Sequence, residues 1–224
     1  MAHAAIRSVG SILAVEAVTR SASVARVDAD GCDEVQLGPG ESPAQLVPSM
    51  TDRSDGVDAL AIAIGPGSFT GLRMSAVAVK TLAWLRDLPI HPVPTLAAIA
   101  AAAGDGLWWV AFPLKRDVTF HAVYAVESGQ VRECCAPFAM ADAAADDANM
   151  PTDAVVIGPA VDDKPALMTQ LAGEREIRSG IGCSAAVVAR IAAQFAACSW
   201  RVLDVDYRMA SAPELQRKQR DGVA

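Results

Sequence analysis

The sequence lacks any long run of apolar residues. Its longest such runs, 59–64 and 96–103, are much shorter than the roughly 18 residues that a membrane-spanning helix needs. Near the amino terminus, the apolar run from Ile12 to Val15 is interrupted at once by Glu16, so the longer apolar segment of a secretory signal is missing. We therefore expect a cytoplasmic protein that does not associate with a membrane.

Cysteine and histidine are scarce as well. The 5 cysteines follow no CxxC spacing, which indicates reduced thiols and not a disulfide framework. Cys134 and Cys135 are adjacent, so in a strand their side chains would point to opposite faces. The 3 histidines, His3, His91 and His121, are far apart along the chain, and the sequence predicts no metal site.

Positive charge is outnumbered: 19 Lys and Arg face 26 Asp and Glu, which gives a formal net charge of −7. Such a chain repels a nucleic acid unless its basic residues are gathered into one patch. The local cluster of Arg217, Lys218 and Arg220 is interpreted as a solvated chain end. We expect no direct nucleic-acid binding by the chain alone.

The composition is that of a globular protein, with 52% hydrophobic and 20% charged residues over 224 positions. The order of its apolar runs predicts an α/β fold of two lobes, 1–104 and 105–203, joined at Gly104 to Gly106, with 204–224 returning to the first lobe. The predicted strands are 11–18, 23–27, one after the turn at 28–31, 59–64, 89–93, 107–112, 119–126 and 154–157. The predicted helices begin near Pro43 and cover 71–86, 96–103, 166–171 and 184–197, with Thr95 and Ser184 as N-caps.

A glycine-rich turn joins the strand at 59–64 to the long helix. It consists of Gly65, Pro66, Gly67, Ser68, Phe69, Thr70 and Gly71, followed by Leu72 and Arg73. Backbone N–H groups in such a turn can bind a phosphate. However, no lysine follows as in a P-loop, and Thr70 stands where a dinucleotide-binding turn has its last glycine. The alternative is that the glycines only permit a tight turn, with Ser68 or Thr70 as the N-cap.

The segment that starts at this turn resembles the signature region of the TsaB family: GPGSFTGLRMSAVAVKTLAWLRDLPIHPVPTLAAIA. Upstream, ILAVEAVTRSASVARV is similar to the opening strands of that family, although Glu16 replaces the usual Asp and Val18 the usual Ser. Downstream, Tyr207 and Arg208 resemble its closing element. The resemblance covers the first lobe well and the second lobe only in its strand order.

The resemblance implies a two-lobed fold of the actin, Hsp70 and hexokinase (ASKHA) type, with a βββαβα first lobe. It also implies a non-catalytic subunit that has no cofactor and no catalytic residue of its own. Such a subunit binds a TsaD-like catalytic paralog and supports the transfer of threonylcarbamoyl to a tRNA adenosine beside the anticodon. A TsaE-like ATPase joins the same assembly, and the subunit forms a homodimer when alone.

The long helix has two apolar faces. Leu72, Ala76, Val79 and Ala83 form one of them at helical spacing. A surface helix needs only one such face, so the second must meet another layer of this chain or another protein. The resemblance favours a partner and implies an interface that includes the short first helix. The predicted interface residues are Leu46, Val47, Met50, Met74, Val77, Thr81, Trp84 and Leu85.

Two other functions stay open at this point. One is a small nucleotide-dependent enzyme of the same superfamily, for which Glu16 would serve the first phosphate loop and Asp162 and Asp163, after Gly158, the second. A nucleotide bound at a subunit junction is a variant of this hypothesis. The other is a homodimeric interaction protein that has diverged from the family, as Glu16, Val18 and the short first helix would allow.

Overall fold

A computed structural model of the chain describes residues 10–20, 22–38, 41–115, 117–143 and 150–206. It contains two β-sheets with helices on their faces. The strands are β1 (Ile12–Glu16), β2 (Ser23–Asp28), β3 (Gly31–Gln36), β4 (Ala59–Ala63), β5 (Ile90–Val93), β6 (Gly106–Lys115), β7 (Val118–Glu127), β8 (Gln130–Ala141) and β9 (Val155–Ile157). The helices are α1 (Leu46–Asp52), α2 (Phe69–Arg86), α3 (Thr95–Ala102), α4 (Pro159–Asp163), α5 (Pro165–Ala172) and α6 (Ala185–Ile191).

The first sheet has the strand order β3-β2-β1-β4-β5. Its first three strands form an antiparallel meander, and β4 and β5 then run parallel to β1. Every residue of β1 and β4 is buried, as expected for strands that are covered on both faces. The helices α1 and α2 pack on this sheet, and α6 contacts β1, β2 and β4.

The second sheet has the order β8-β7-β6-β9, with β9 parallel to β6. Because β6 alternates its side chains, the neighbours Trp108 and Trp109 enter different hydrophobic cores. Trp108 packs into the core shared with the first sheet, α3 and α6, whereas Trp109 packs into the core under α4 and α5. The helices α3 and α6 therefore join the two sheets.

All strands proposed from the sequence are present, but several details differ. Thr95 is the first residue of α3 and not its cap; its hydroxyl instead accepts a hydrogen bond from the Gly65 N–H at 3.1 Å. Ser184 caps α6 as predicted, but this helix ends at Ile191, earlier than expected. Both β8, a strand of 12 residues, and the short α4 went unrecognised in the sequence.

The packing of α6 on the first sheet means that the chain returns to that sheet before residue 204. On β8, Cys134 is exposed and Cys135 is half-buried, as adjacent residues of a strand should be. No helix in the described ranges is long and apolar enough to cross a membrane. The cluster of Arg217, Lys218 and Arg220, the pair Tyr207 and Arg208, and His3 lie outside the described residues.

His121 is a buried polar residue in the middle of the second sheet. Its ring lies between those of Trp109 and Phe138, with centroids 5.6 and 5.7 Å away. The indole N–H of Trp109 donates to Nδ1 of His121 at 3.0 Å, and Nε2 has no hydrogen-bond partner among the described residues. Burial lowers the pKa of His121 from 6.5 to about 4. The imidazole is therefore neutral throughout the physiological pH range.

We expect His121 to make the protein sensitive to acid. Between pH 6.5 and about 4 the unfolded histidine binds a proton that the folded one does not, so the free energy of unfolding falls as the pH is lowered. The loss amounts to about 3 kcal/mol at about 1.4 kcal/mol per pKa unit. His121→Gln keeps an acceptor for Trp109 but does not titrate. Urea denaturation of both proteins across this range should show a shallower pH dependence for the variant; equal slopes would contradict the assignment.

Candidate functional site

The glycine-rich turn packs tightly against the turn between β1 and β2. A Cβ atom on Gly67 would lie 2.5 Å from the carbonyl oxygen of Val18, and one on Gly71 would overlap the carbonyl oxygen of Ala17. Gly65 has a φ of +106°, which favours glycine for a second reason. These glycines are therefore required by the approach of two backbone segments.

Ser68 connects the same two turns by hydrogen bonds. Its N–H donates to the carbonyl oxygen of Val18 at 2.9 Å, and its hydroxyl accepts from the N–H of Gly71 at 3.2 Å. Ser68 is thus the N-cap of α2, as one of the two sequence alternatives proposed. Within the rest of the signature turn, Leu72 is buried, and the exposed Arg73 stacks on Phe69 at 5.3 Å from the ring centroid. Two N–H donors of the glycine-rich turn, those of Ser68 and Gly71, are therefore already bonded within the protein.

Glu16, the last residue of β1, is fully buried beside this contact. Its Oε1 accepts from the N–H groups of Val18 and Thr19 at 2.7 and 2.8 Å, and its Oε2 lies 2.7 Å from the Thr19 hydroxyl. Burial raises the pKa of Glu16 to about 7, against these hydrogen bonds, which lower it. The nearby charge of Glu34 raises it further. Glu16 therefore stabilises the β1–β2 turn through buried hydrogen bonds.

A cleft of about 800 Å³ opens between the two sheets. The β1–β2 turn, the glycine-rich turn, the end of β6, the α4 region and the 180–183 segment line it. Arg20 and Asp163 form an ion pair at 2.8 Å between the β1–β2 turn and α4. The carboxylate of Asp162 accepts from the N–H of Gly180 at 3.1 Å. Both acidic residues of the proposed second phosphate loop are thus engaged by the chain itself.

The outer surface of α2 is the second candidate site. Its face of Leu72, Ala76, Val79 and Ala83 is buried on the first sheet, as the helical spacing predicts. The opposite face is left uncovered by the residues that the structure describes. Its apolar side chains are exposed: Met74 by 38%, Val77 by 65%, Trp84 by 62% and Leu85 by 65%. Thr81 is exposed among them.

The contribution of α1 to this surface is smaller than expected. Leu46 and Met50, which the sequence assigned to the interface, are buried in the core at 2% and 3% exposure. They lie one helical turn apart and so share the inward face, whereas Val47, rotated by about 100° from Leu46, stays 43% exposed. As a correction, Leu46 and Met50 are part of the core, and Val47 is the residue of α1 in the predicted interface that is exposed.

A groove of about 610 Å³ that the sequence did not suggest lies at the end of α2. Trp84 and Leu88 form one wall, and Trp200 with Arg201 forms the other. The Arg201 guanidinium stacks on the Trp200 ring at 5.0 Å. The segment of Trp200 reaches this position because Cys198 pairs with Ile90 at the edge of the first sheet. Only a long-range pairing brings the two tryptophans to one groove, so no local pattern could have revealed it.

The two described histidines lie in different sheets. His91 is on β5, with its Nδ1 2.8 Å from the carbonyl oxygen of Phe195, and His121 is on β7. In the part of the chain that the structure describes, no three His, Cys, Asp or Glu side chains are grouped as metal ligands would be.

Comparison with known proteins identifies relatives. Residues 52–215 match the family model of TsaD, described as tRNA N6-adenosine threonylcarbamoyltransferase. A tRNA threonylcarbamoyladenosine biosynthesis protein TsaB from Bacillus subtilis is 36% identical over 76 residues, which is 33% of this chain and 33% of that protein. TsaB from Haemophilus influenzae is 53% identical over 47 residues, 21% of this chain and 20% of its own. The chain thus spans about a third or less of the length of these curated relatives.

The fold matches solved structures over most of the chain. YeaZ from Pseudomonas aeruginosa has a TM-score of 0.73 at 22% identity, covering 88% of this chain and 99% of its own. A second Pseudomonas aeruginosa structure, described as similar to peptidase YEAZ, has a TM-score of 0.75 at 19% identity and covers 89% of this chain and 100% of its own. These matches confirm the two-lobed ASKHA-type fold that the sequence resemblance implied.

We expect the contact between the two turns to be essential for stability. Gly71→Ala places a methyl group on the Ala17 carbonyl oxygen, where backbone has to move, and should destabilise the protein by about 3 kcal/mol or more. Gly182→Ala is the matched control, because its Cβ would meet no atom within 4 Å. That change should stay within about 0.5 kcal/mol. Urea unfolding measures both; similar values for the two variants would show that the close approach is not a constraint.

Proposed function

This chain belongs to the TsaD family of tRNA N6-adenosine threonylcarbamoyltransferases and to its TsaB/YeaZ branch, and from that premise we propose that it works in tRNA threonylcarbamoyladenosine biosynthesis as a non-catalytic subunit. In this role it binds a TsaD-like catalytic subunit, which transfers threonylcarbamoyl to the tRNA adenosine. A TsaE-like ATPase joins the assembly, and the chain forms a homodimer when no partner is present.

The observation that supports this role most directly is the exposed apolar face of α2. Its side chains recur every three or four residues along nearly the whole helix, so they form a stripe and not scattered surface residues. A contiguous apolar stripe of this kind marks a protein-protein contact. An amphipathic helix of the partner, packed along α2, would bury Val77 at the centre of the stripe and Val47 at its side.

The cleft supports the non-catalytic part of the proposal. Glu16 is enclosed by its own turn, and the hydroxyl of Ser68 caps α2. Asp162 and Asp163 are held by the Gly180 N–H and by Arg20. Asp162 and Asp163 do line the cleft, but a nucleotide-dependent enzyme would need such carboxylates to be available to position Mg²⁺, whereas here they bond to the chain itself.

We expect Val77→Asp to abolish association without unfolding the subunit. In the complex the new carboxylate would be desolvated against apolar side chains, which should weaken binding at least about a hundredfold, or roughly 3 kcal/mol. In the free chain the same carboxylate faces water, because Val77 is 65% exposed. Co-purification with the TsaD-like subunit and thermal melting, both measured on the same variant, test the two halves of this expectation.

Thr169→Asp serves as the control for Val77→Asp, since it places the same charge on an exposed position of α5, far from α2 in the fold. It should leave both the complex and the melt unchanged. A collapsed melt for Val77→Asp, or an undiminished complex, would show that the partner surface has been assigned to the wrong face. If only the homodimer is lost, the chain is a homodimeric interaction protein.

We also expect the purified chain to be inactive by itself. It should neither hydrolyse ATP nor transfer threonylcarbamoyl, and its net charge of −7 should prevent tRNA binding at physiological salt. Phosphate-release and gel-shift assays measure these activities. Turnover above background that is lost on changing Glu16 would favour the nucleotide-dependent enzyme, and sub-micromolar tRNA binding would contradict the assignment of RNA recognition to another subunit.

A further inference from the structure

The turn after β1 collects hydrogen-bond donors at one point. The backbone N–H groups of Val18 and Thr19 and the hydroxyl of Thr19 all meet the carboxylate of Glu16, at distances of 2.7 to 2.8 Å. Successive N–H groups that converge in a turn form a concave site for an oxyanion. Here the oxyanion is a side chain of the same turn, two and three residues before its donors.

This turn lies where a phosphate in the cleft would have to bind. Val18 and Thr19 line the cleft between the sheets, together with Gly67 and Ser68 of the glycine-rich turn. The fold type implies a nucleotide in such a cleft, so the fit of the residues can be tested. Glu16 is 0% exposed, with Oε1 accepting two N–H groups and Oε2 against the Thr19 hydroxyl, so the carboxylate is shut off from the cleft.

The glycine-rich turn offers no more room. The Val18 carbonyl oxygen accepts from the Ser68 N–H and lies within van der Waals contact of Gly67, so the two turns touch where a phosphate would have to pass between them. The residues of the cleft therefore do not fit a magnesium nucleotide. The turn has hydrogen-bond donors suited to an anion, but these donors already bond to the carboxylate of Glu16.

We propose that the β1–β2 turn is an oxyanion site whose resident ligand is the Glu16 carboxylate. The carboxylate stands in for a phosphate, keeps the turn in its phosphate-binding shape, and closes the cleft to nucleotides. Arg20 extends from the same turn to Asp163 on α4, so the shape of the turn also sets a contact between the two lobes. The proposal is independent of the α2 surface and of any partner that binds there.

The test is rescue by an external anion. Glu16→Ala removes a CH₂ and a carboxylate, which together have the size and charge of acetate, and leaves buried N–H groups without their acceptor. We expect the melting temperature to fall by roughly 5–10 °C. Acetate, titrated at constant ionic strength and at about pH 8, should recover about 3 °C or more and should keep raising the melting temperature with the logarithm of its concentration, as binding to the folded state requires. Inorganic phosphate is larger than the carboxylate that it would replace, so it should stabilise the variant less than acetate does.

Three comparisons make the result specific. The wild-type melt should not respond to acetate, inorganic phosphate or magnesium ATP. Glu41→Ala, which removes an exposed carboxylate that accepts from the Gly38 N–H away from the cleft, should show no rescue. Glu16→Gln keeps an acceptor for both N–H groups and fills the site, so it should be folded and should not respond to anions.

Several results would overturn the proposal. One is stabilisation of the wild type by phosphate or magnesium ATP to the extent expected for the alanine variant, since the site would then be open. A Glu16→Ala protein that is as stable as the wild type would also overturn it. So would a Glu16→Ala protein that no anion stabilises, whether that variant is folded or unfolded. A Glu16→Gln protein that acetate stabilises as strongly as Glu16→Ala would also refute it.

Discussion

The contact between two backbone turns determines the arrangement of the first lobe. The carbonyl oxygens of Ala17 and Val18, at the end of β1, lie where side chains on Gly71 and Gly67 would otherwise be. Since only a hydrogen atom fits there, the sequence has to place glycine at both positions. The hydrogen bond from the Ser68 N–H to Val18 then fixes the start of α2 relative to β1. The direction of α2, and with it the surface that α2 presents, follows from this contact.

The same contact explains why the glycine-rich turn is misleading when it is read as a phosphate-binding motif. A strand, a glycine-rich turn and a helix are common to phosphate loops and to tight backbone crossings. Phosphate loops and tight backbone crossings differ in the acceptors to which their N–H groups donate. Here the Ser68 and Gly71 N–H groups bond to Val18 and to the Ser68 side chain. Sequence alone could not decide this, because the acceptor on Val18 lies about fifty residues earlier in the chain.

Much of the fold could be predicted because its elements have strong local patterns. The uninterrupted apolar run of β4 and the two faces of α2 appear in the structure as the periodicity indicated. The strand β8 was missed because it lies at the edge of its sheet and mixes polar with apolar residues. Thr95 looked like an N-cap, but its hydroxyl binds the Gly65 N–H of another turn. At Thr95 a tertiary contact thus takes the place of the local one that the sequence pattern indicated.

The acidic side chains beside the cleft have partners in the chain, whereas the described residues leave the outer face of α2 exposed, and this contrast separates the two candidate sites. Glu16 is enclosed by its own turn, and Asp163, which lines the cleft, pairs with Arg20. Glu16 is fully buried, and a buried charge without partners is costly, so the hydrogen bonds within its turn stabilise it there. Among the described residues the outer face of α2 has no such partners, because Val77 and Leu85 lie opposite the helix face that packs on the first sheet. Within the described residues this apolar area stays in contact with water, which supports the proposal that α2 is a binding surface.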